Sequence, residues 1–187
     1  MIAIIILCIL VFFIYFYRKD AMNPDIHFTQ TKGILISPCY GKIMKINETN
    51  DHIEIITFLS PLDKHYQIYP CDATVKSTFL DKTGKFAIAN DCGKSSDNEK
   101  QITVLTTKWG EITIKQIAGF LVRCIEFYNK PGDKVCIGSK MGNIRFGSRV
   151  DIIIPKFDSV GQKNNFRLMV YEGDRVNGYQ TQLGMFV

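Results

Sequence analysis

The sequence predicts a mainly β domain with minor helix, an α+β class that forms a compact sandwich- or barrel-like body behind an N-terminal hydrophobic helix. Three observations lead to this class. Residues 1–17 are almost wholly apolar, the rest of the chain is divided into short β-branched segments by Gly, Pro, Asn and Asp, and one stretch has helical periodicity. With 187 residues, the chain has the length of about one domain with its own core.

The apolar leader contains no charged side chain. As a helix it would span about 25 Å, close to a hydrocarbon core of about 30 Å. No basic residue precedes it, and no small-residue cleavage site follows before Arg18 and Lys19, so we expect a retained anchor, spanning or monotopic, and not a signal peptide. The two cations favour a cytoplasmic domain. The predicted organisation is an anchor over 1–17, a linker over 18–31 and one domain over 32–187.

Five segments are predicted strands, because each is rich in β-branched residues and bounded by turn formers. They are Gly33–Ser37, Lys42–Asn47, His52–Leu59, Ile102–Thr107 and Ile112–Ile117. A turn around Trp109 and Gly110 is expected to join the last two.

Two other segments lack strand signals. Ala118–Tyr128 is predicted to be a helix, because Phe120, Cys124 and Phe127 fall at i, i+4 and i+7 on one face. Asp91–Gln101 has no apolar periodicity, so it is predicted to be a surface loop without chemistry.

A weak internal echo suggests two similar turns. Gly132–Val135 leads to Gly138, and Gly173–Val176 leads to Gly178. In each, Gly-Asp is typical of a turn and Val of the start of a short strand. We expect two similar hairpin elements that pack face to face.

The charges and cysteines exclude some partners. The net charge of +5 comes from scattered lysines, which suit an anionic phospholipid membrane or simply a solvated face, and they indicate no nucleic-acid partner. The cysteines show neither C-x-x-C spacing nor a companion His pattern, so no zinc or other metal site is expected. We expect reduced thiols that act as small core residues. The six are Cys8, Cys39, Cys71, Cys92, Cys124 and Cys136.

The most informative segment is Met141–Asp151, which reads MGNIRFGSRVD. By composition it is a β-hairpin with glycine turns. It nevertheless resembles the processing site of phosphatidylserine decarboxylases, in particular their short bacterial and archaeal-type branch. Three further blocks resemble that family in the same order, and the likeness covers roughly residues 24–187. The blocks are Ser37–Ile43, Phe58–His65 running on to Pro70, and Lys115–Gly119.

The resemblance implies a proenzyme that cuts itself at Gly147-Ser148. The Ser148 hydroxyl would attack the Gly147 carbonyl, which has no Cβ beside it, and the resulting ester would eliminate and hydrolyse to leave a pyruvoyl group on residue 148. The products would be chains 1–147 and 148–187. The implied activity is decarboxylation of phosphatidylserine or a similar serine-headed phospholipid, in which the pyruvoyl carbonyl forms a Schiff base and accepts electrons. No external cofactor would be needed.

A general acid must then return a proton, and histidine suits that role near neutral pH. The chain contains His27, His52 and His65. His65 lies in the block similar to the family's Ser-Pro-x-Asp-x-His, whose His is catalytic, so it is the candidate acid. The other two are expected to be surface histidines.

The chain departs from the family pattern at Tyr40, where the first block normally has an Asp of the self-cleavage machinery. A phenol cannot simply replace a carboxylate as a base. Asp63 in the second block is therefore a candidate substitute carboxylate, and Asp72 is close by in sequence. Ile68 takes the place of a second His that another branch of the family carries.

Other functions remain open at this point. The chain could be an uncleaved relative that only binds lipid or a protein partner at the membrane, or a tethered β domain in which Gly147-Ser148 is a turn. A serine hydrolase is disfavoured, because Ser148 has no base at a recognisable spacing and no Gly-x-Ser-x-Gly elbow is present. The resemblance also implies that the two self-derived chains stay together and that such complexes pair as dimers.

Overall fold

The computed structural model describes residues 1–16, 32–84, 87–89, 91–119, 124–144 and 148–187. The linker, His27 and Gly147 lie outside these residues. Strands dominate, which confirms the mainly β class. The helices among these residues are α1 (Ile2–Phe16) and α2 (Cys92–Ser95). The strands are β1 (Ile34–Ile36), β2 (Gly41–Glu48), β3 (His52–Leu59), β4 (Tyr66–Ile68), β5 (Ala73–Asp81), β6 (Lys100–Thr107), β7 (Gly110–Ile117), β8 (Ile125–Phe127), β9 (Lys134–Val135), β10 (Lys140–Ile144), β11 (Ser148–Pro155), β12 (Phe166–Leu168), β13 (Arg175–Val176) and β14 (Gln182–Phe186).

The strands form one large and two small antiparallel sheets. The large sheet has the order β13-β2-β3-β11-β7-β6-β5-β9, and the small sheets have the orders β1-β14-β12 and β4-β10-β8. All five predicted strands are present, and the turn at Trp109-Gly110 joins β6 to β7. Gly110 has φ +105°, and a Cβ there would lie 2.7 Å from the Phe157 carbonyl oxygen, so glycine is required.

Strand β11 lies at the centre of the large sheet. It pairs with β3 along its whole length and with β7 over five residues. Val150, Ile152 and Ile154 are buried in the main apolar core. Because side chains alternate along a strand, Arg149 and Asp151 point to the opposite face, and they too are buried. A strand that is buried on both faces is a rigid support for whatever its ends carry.

The predicted helix over Ala118–Tyr128 is wrong. Residues 120–123 lie outside the described part, but Ile125–Phe127 forms β8, which pairs with β10. Ile125 and Phe127 pack against the main core from this strand. Three ladder contacts and core packing therefore override a short local periodicity.

The predicted loop over Asp91–Gln101 is also wrong in part. Its centre forms α2, and its end begins β6 at Lys100. Asp91 caps the helix, because its carboxylate accepts hydrogen bonds from the main-chain nitrogens of Gly93 and Lys94, both at 3.1 Å. An Asx cap, and not apolar periodicity, defines this single turn.

The two similar sequences, Gly132–Val135 and Gly173–Val176, each form a glycine turn, with φ +94° at Gly132 and +93° at Gly173. The strands that follow, β9 and β13, lie at opposite edges of the large sheet, so the two elements are not adjacent in the strand order. Six residues after each glycine comes a second left-handed position, Gly138 in one copy and Tyr179, with φ 69°, in the other. The turns are thus structurally equivalent, although their surroundings differ.

Helix α1 has 15 residues, and the side chains that the structure describes on it are exposed. Among the described helices, none is both long enough and apolar enough to cross a bilayer. The prediction of a spanning helix is therefore not supported.

The cysteines divide by burial. Cys39 and Cys71 are buried, and burial raises the pKa of each thiol to about 12. These two fit the expected role as core residues. Cys136 is exposed, so for it that expectation is wrong, and Cys8 is exposed on the apolar helix α1.

Candidate active site

Ser148 is the first residue of β11, directly opposite Leu59 at the end of β3. Its side chain is fully buried and faces the same side of the sheet as Val150. Its hydroxyl oxygen has no hydrogen-bond partner among the described residues. Buried polar atoms are nearly always paired, so an unpaired buried hydroxyl at this position calls for a functional explanation.

The segment Met141–Asp151 is not a hairpin. Its first half belongs to β10, which pairs with β4 and β8 in a small sheet, whereas its second half belongs to β11 in the large sheet. The chain therefore crosses from one sheet to another between Ile144 and Ser148. β10 and β11 are therefore not the two paired strands of a hairpin.

His65 is buried just before β4. Its main-chain oxygen accepts a hydrogen bond from the nitrogen of Ile144 at 2.9 Å, four residues before Ser148. Ser148 itself is paired with Leu59, six residues before His65. Two independent pairings thus bring the candidate nucleophile and the candidate acid to the same end of the large sheet.

The ring of His65 is held by the main chain. Its Nδ1 atom lies 2.7 Å from the carbonyl oxygen of Asp63. A carbonyl oxygen only accepts, so Nδ1 carries the hydrogen in the neutral imidazole. Nε2 is therefore the ring nitrogen that can gain and release a proton.

Two buried amides, which the sequence interpretation missed, form a chain of hydrogen bonds that ends at His65. The Gln67 Nε2 atom donates to the main-chain oxygen of His65, and the Gln116 Nε2 atom donates to Gln67 Oε1, each at 2.8 Å. Both side chains are fully buried. A signal for Gln116 was available, because it continues the inward-facing alternation of Ile112 and Ile114 along β7.

Comparison with known proteins supplies the family. The family model described as phosphatidylserine decarboxylase matches residues 9–184. The chain belongs to the phosphatidylserine decarboxylase family.

Curated relatives agree with this assignment. The chain is 32% identical over 182 residues to the phosphatidylserine decarboxylase proenzyme of Chlorobaculum tepidum, covering 94% of this chain and 78% of that protein. It is 34% identical to the proenzyme of Neisseria meningitidis serogroup C, covering 92% and 63%, and 38% identical to that of Bacteroides fragilis, covering 67% and 58%. The chain thus spans under two thirds of the length of the last two relatives. The phosphatidylserine decarboxylase family is one of carboxy-lyases that act on phospholipid.

Tyr40, the departure from this family's pattern, lies near His65. Its hydroxyl is 2.8 Å from that of Tyr66, the residue after His65, and the two rings meet edge to face. The Lys64 ammonium lies 5.0 Å from the centre of the Tyr40 ring. Tyr40 is buried in a second apolar cluster and packs over Gly178, where a Cβ would lie 2.8 Å from its ring.

The candidate substitute carboxylates have other contacts. Asp63 accepts a hydrogen bond from the Ser60 nitrogen at 2.8 Å and pairs with Arg175, so its side chain holds the turn before His65. Asp72 accepts from the Ile137 nitrogen at 2.7 Å and precedes β5, at the end of the sheet away from Ser148.

The other histidines are remote. His52 pairs with Pro155 at the far end of β11, and its ring lies 3.2 Å from the Thr49 hydroxyl. His27 lies outside the described residues.

On the face of β11 opposite Ser148, Arg149 makes a bidentate pair with Asp151, at 2.6 and 2.8 Å. Arg149 also donates to the Cys92 main-chain oxygen of α2, so the segment expected to be inert covers this pair. Burial raises the pKa of the Asp151 carboxyl, against the opposing effect of the Arg149 guanidinium. A cavity of about 470 Å³ adjoins the pair.

Proposed function

We propose that this chain is a proenzyme that cuts itself between Gly147 and Ser148 and then decarboxylates phosphatidylserine or a similar serine-headed phospholipid. The single observation that carries the proposal is the buried hydroxyl of Ser148 at the end of a central strand, for which the described residues offer no hydrogen-bond partner. Family membership supports decarboxylation as the reaction class. The buried hydroxyl supports Ser148 as the residue that reacts.

The first step uses only groups of the chain. The Ser148 hydroxyl oxygen attacks the Gly147 carbonyl carbon, its proton passes to the departing amide nitrogen, and the amide becomes an ester. An oxygen without a hydrogen-bond partner keeps its lone pairs available for this attack. A base then removes the Cα hydrogen of residue 148, and the carboxylate of Gly147 leaves from Cβ. Water hydrolyses the resulting enamine through its imine form, which releases ammonia.

The residues around Ser148 fit the pyruvoyl group that this sequence of steps would leave. The group would replace a buried hydroxyl that has no partner in the described part of the chain, so no hydrogen bond to those residues would be lost. A pyruvoyl group supplies a carbonyl that accepts electrons as carbon dioxide departs. The chain's own contribution is to exclude water, because Ser148 and Leu59 are fully buried, and to deliver a proton.

We assign the proton delivery to His65. Its Nδ1 atom is fixed by the Asp63 main-chain oxygen, so Nε2 holds and releases the proton. Asp63 thereby positions His65 through its main chain, and its carboxylate fixes the turn that carries that oxygen.

The two pieces should remain one body after cleavage. The piece from Ser148 to Val187 begins with β11, which eight residue pairs join to β3 and five join to β7. The same piece supplies β14, which pairs with β1 of the larger piece. The interface is thus the interior of the sheet, whose separation would expose the core.

We further propose that the protein works at a membrane surface. The side chains Ile4, Leu7, Leu10 and Ile14 of α1 are each more than half exposed to solvent. Burying that apolar surface in lipid is favourable, and a helix of about 22 Å can lie in the interface without crossing it. In this organisation, residues 1–17 attach the domain over 32–187 to its lipid substrate.

A second candidate function follows from Tyr40. Without the usual Asp, the chain would be an uncleaved relative that keeps the fold and binds lipid or a protein. Denaturing electrophoresis and intact mass spectrometry separate the two. Self-cleavage gives a fragment of the 40 residues from Ser148 to Val187 with a keto-blocked terminus, and Ser148→Ala gives one intact chain.

The activity test follows the cleavage test. Carbon dioxide release from vesicles that contain phosphatidylserine should be lost after borohydride treatment, which reduces the carbonyl. An intact parent chain that releases no carbon dioxide would contradict the proposed function. The remaining candidate would then be an uncleaved relative that binds lipid or a protein. Two fragments from Ser148→Ala would show that a different bond is cut.

A further inference from the structure

Gln116 has an unpaired acceptor in the interior of the protein. Its side chain is fully buried on β7, and its Oε1 atom has no hydrogen-bond partner among the described residues. An unpaired buried carbonyl of this kind costs about 1–3 kcal/mol. Because such groups are rare, its position relative to Ser148 is informative.

The orientation of the amide is fixed by its neighbours. The main-chain oxygen of His65 only accepts, so the atom of Gln67 that faces it must be Nε2. Gln67 Oε1 is therefore turned toward Gln116, and the atom of Gln116 that meets it must be Nε2. Each amide thus donates through Nε2 toward His65, and the direction of these hydrogen bonds leaves Gln116 Oε1 as the acceptor at the end of the chain.

The strand register places this acceptor next to Ser148. Gln116 is directly opposite Val150, and Ser148 lies two residues along β11 on the same face. Such diagonal neighbours are about 7–8 Å apart, a gap that a side chain and one small ligand group can bridge. Two unpaired buried polar atoms, the Ser148 hydroxyl and Gln116 Oε1, are thus neighbours across a strand pair.

The space for Gln116 is provided by Gly142. A Cβ at this position would lie 2.9 Å from Gln116 Nε2 and 2.2 Å from the main-chain oxygen of Glu126. Gly142 is the first glycine of the segment Met141–Asp151, which contains the proposed cleavage site. The same segment therefore supplies residue 148 and makes room for the Gln116 amide.

We propose that Gln116 binds the primary amine of the substrate headgroup and orients it toward residue 148, a role that rests on the proposed function. An amide oxygen accepts hydrogen bonds and cannot donate them, so its ligand must be an N–H or O–H donor. In the proposed reaction, the donor that has to reach residue 148 is the amine of the serine headgroup. Gln116 is neutral, so it orients the amine without holding it as a fixed ion pair.

The test uses the full-length, self-cleaved protein and O-phosphoethanolamine, a primary amine that has no carboxyl group to lose. Capture of this amine on the 148–187 fragment by cyanoborohydride is measured by intact mass as a function of amine concentration. Gln116→Met keeps the side-chain length and removes the acceptor. Thr103→Val is the matched control, because Thr103 also has an unpaired buried hydroxyl but lies on β6, away from Ser148.

We expect Gln116→Met to self-cleave and to need about 10-fold or more amine for half-maximal capture. A change of this size corresponds to the loss of one hydrogen bond to a charged donor. Thr103→Val should match the parent. Direct reduction by borohydride, which needs no oriented amine, should proceed equally in all three proteins. Gln67→Met, which releases the anchor of the Gln116 amide, should raise the half-saturating concentration by a smaller factor and serves as the second variant if Gln116→Met does not fold.

The outcomes separate the two proposals. An uncut parent chain would contradict the proposed function and this role with it. A cut parent with unchanged capture in Gln116→Met would contradict the role of Gln116 alone. Loss of self-cleavage in Gln116→Met, with Thr103→Val still cut, would also overturn it, because Gln116 would then act in the precursor.

Discussion

The Nδ1 atom of His65 is held 2.7 Å from the main-chain oxygen of Asp63, while the Asp63 carboxylate contacts Ser60 and Arg175 instead. The main chain and the side chain of Asp63 therefore have separate tasks. The carbonyl sets the tautomer of the histidine, and the carboxylate fixes the turn from which that carbonyl projects.

This separation predicts different results for two substitutions. Asp63→Asn keeps the main-chain oxygen and most of the shape, so decarboxylation should fall by about 3-fold or less and the free energy of unfolding by about 1 kcal/mol. His65→Asn removes the proposed proton donor and should lower the turnover rate by about 10²- to 10⁴-fold. Carbon dioxide release and urea unfolding measure the two effects. If Asp63→Asn blocked self-cleavage in a folded protein, its carboxylate would be the missing base.

The buried pair of Arg149 and Asp151 predicts a large effect on stability. The two side chains are 4% and 1% exposed. Asp151→Asn leaves the guanidinium buried without a compensating charge, which should cost about 3–5 kcal/mol. Glu48→Gln is the control, because Glu48 pairs with Lys156 but is 64% exposed, and it should cost under about 1 kcal/mol. Equal losses for the two substitutions in urea unfolding would contradict the assignment of this pair as structural.

The fold was predictable where local composition and strand pairing agree. The bounds of β3, His52–Leu59, match the prediction, because the segment is β-branched and ends in turn formers on both sides. The helix prediction was wrong at Ile125–Phe127. These three residues form β8, because pairing with β10 stabilises them more than an isolated helical turn would. Boundaries set by tertiary pairing leave no local signal in a single sequence.

The candidate site was predictable only in part. Ser148 and His65 followed from ordered motifs, but their common location depends on the crossing from β10 to β11 between two sheets. The burial of Arg149 depends on α2, a turn without apolar periodicity whose Cys92 oxygen accepts from the guanidinium. Such contacts join segments that are far apart in sequence, so neither motif nor period could indicate them.

Thiol labelling should report the difference between buried and exposed cysteines. Burial raises the pKa of Cys39 and of Cys71 to about 12, so both remain protonated from pH 7 to pH 9 in the folded protein. Because the thiolate is the reactive form, both should resist iodoacetamide until the chain unfolds, whereas exposed Cys136 should be labelled in the folded protein. Peptide mass spectrometry with and without urea measures this. Rapid labelling of Cys39 without urea would contradict its placement in the core.

Restoring the family's carboxylate at Tyr40 should damage the protein. Tyr40 is 6% exposed, fills the space over Gly178 and shares a hydrogen bond with Tyr66. Tyr40→Asp would leave a cavity and place a carboxylate among apolar side chains, so the free energy of unfolding should fall by about 3–5 kcal/mol. Tyr171→Asp, at a position 77% exposed, should change it by under about 0.5 kcal/mol.

Tyr40→Phe tests whether the phenol itself takes part in self-cleavage. The ring and its contact with Lys64 remain, and the hydrogen bond to Tyr66 is removed, so stability should fall by about 1 kcal/mol. Because we assign the attack to the unpaired Ser148 hydroxyl, the fraction of chain cut after purification should match that of the parent. An uncut Tyr40→Phe that unfolds at nearly the parental urea concentration would instead assign the tyrosine hydroxyl to the cleavage machinery, in the place of the family's carboxylate.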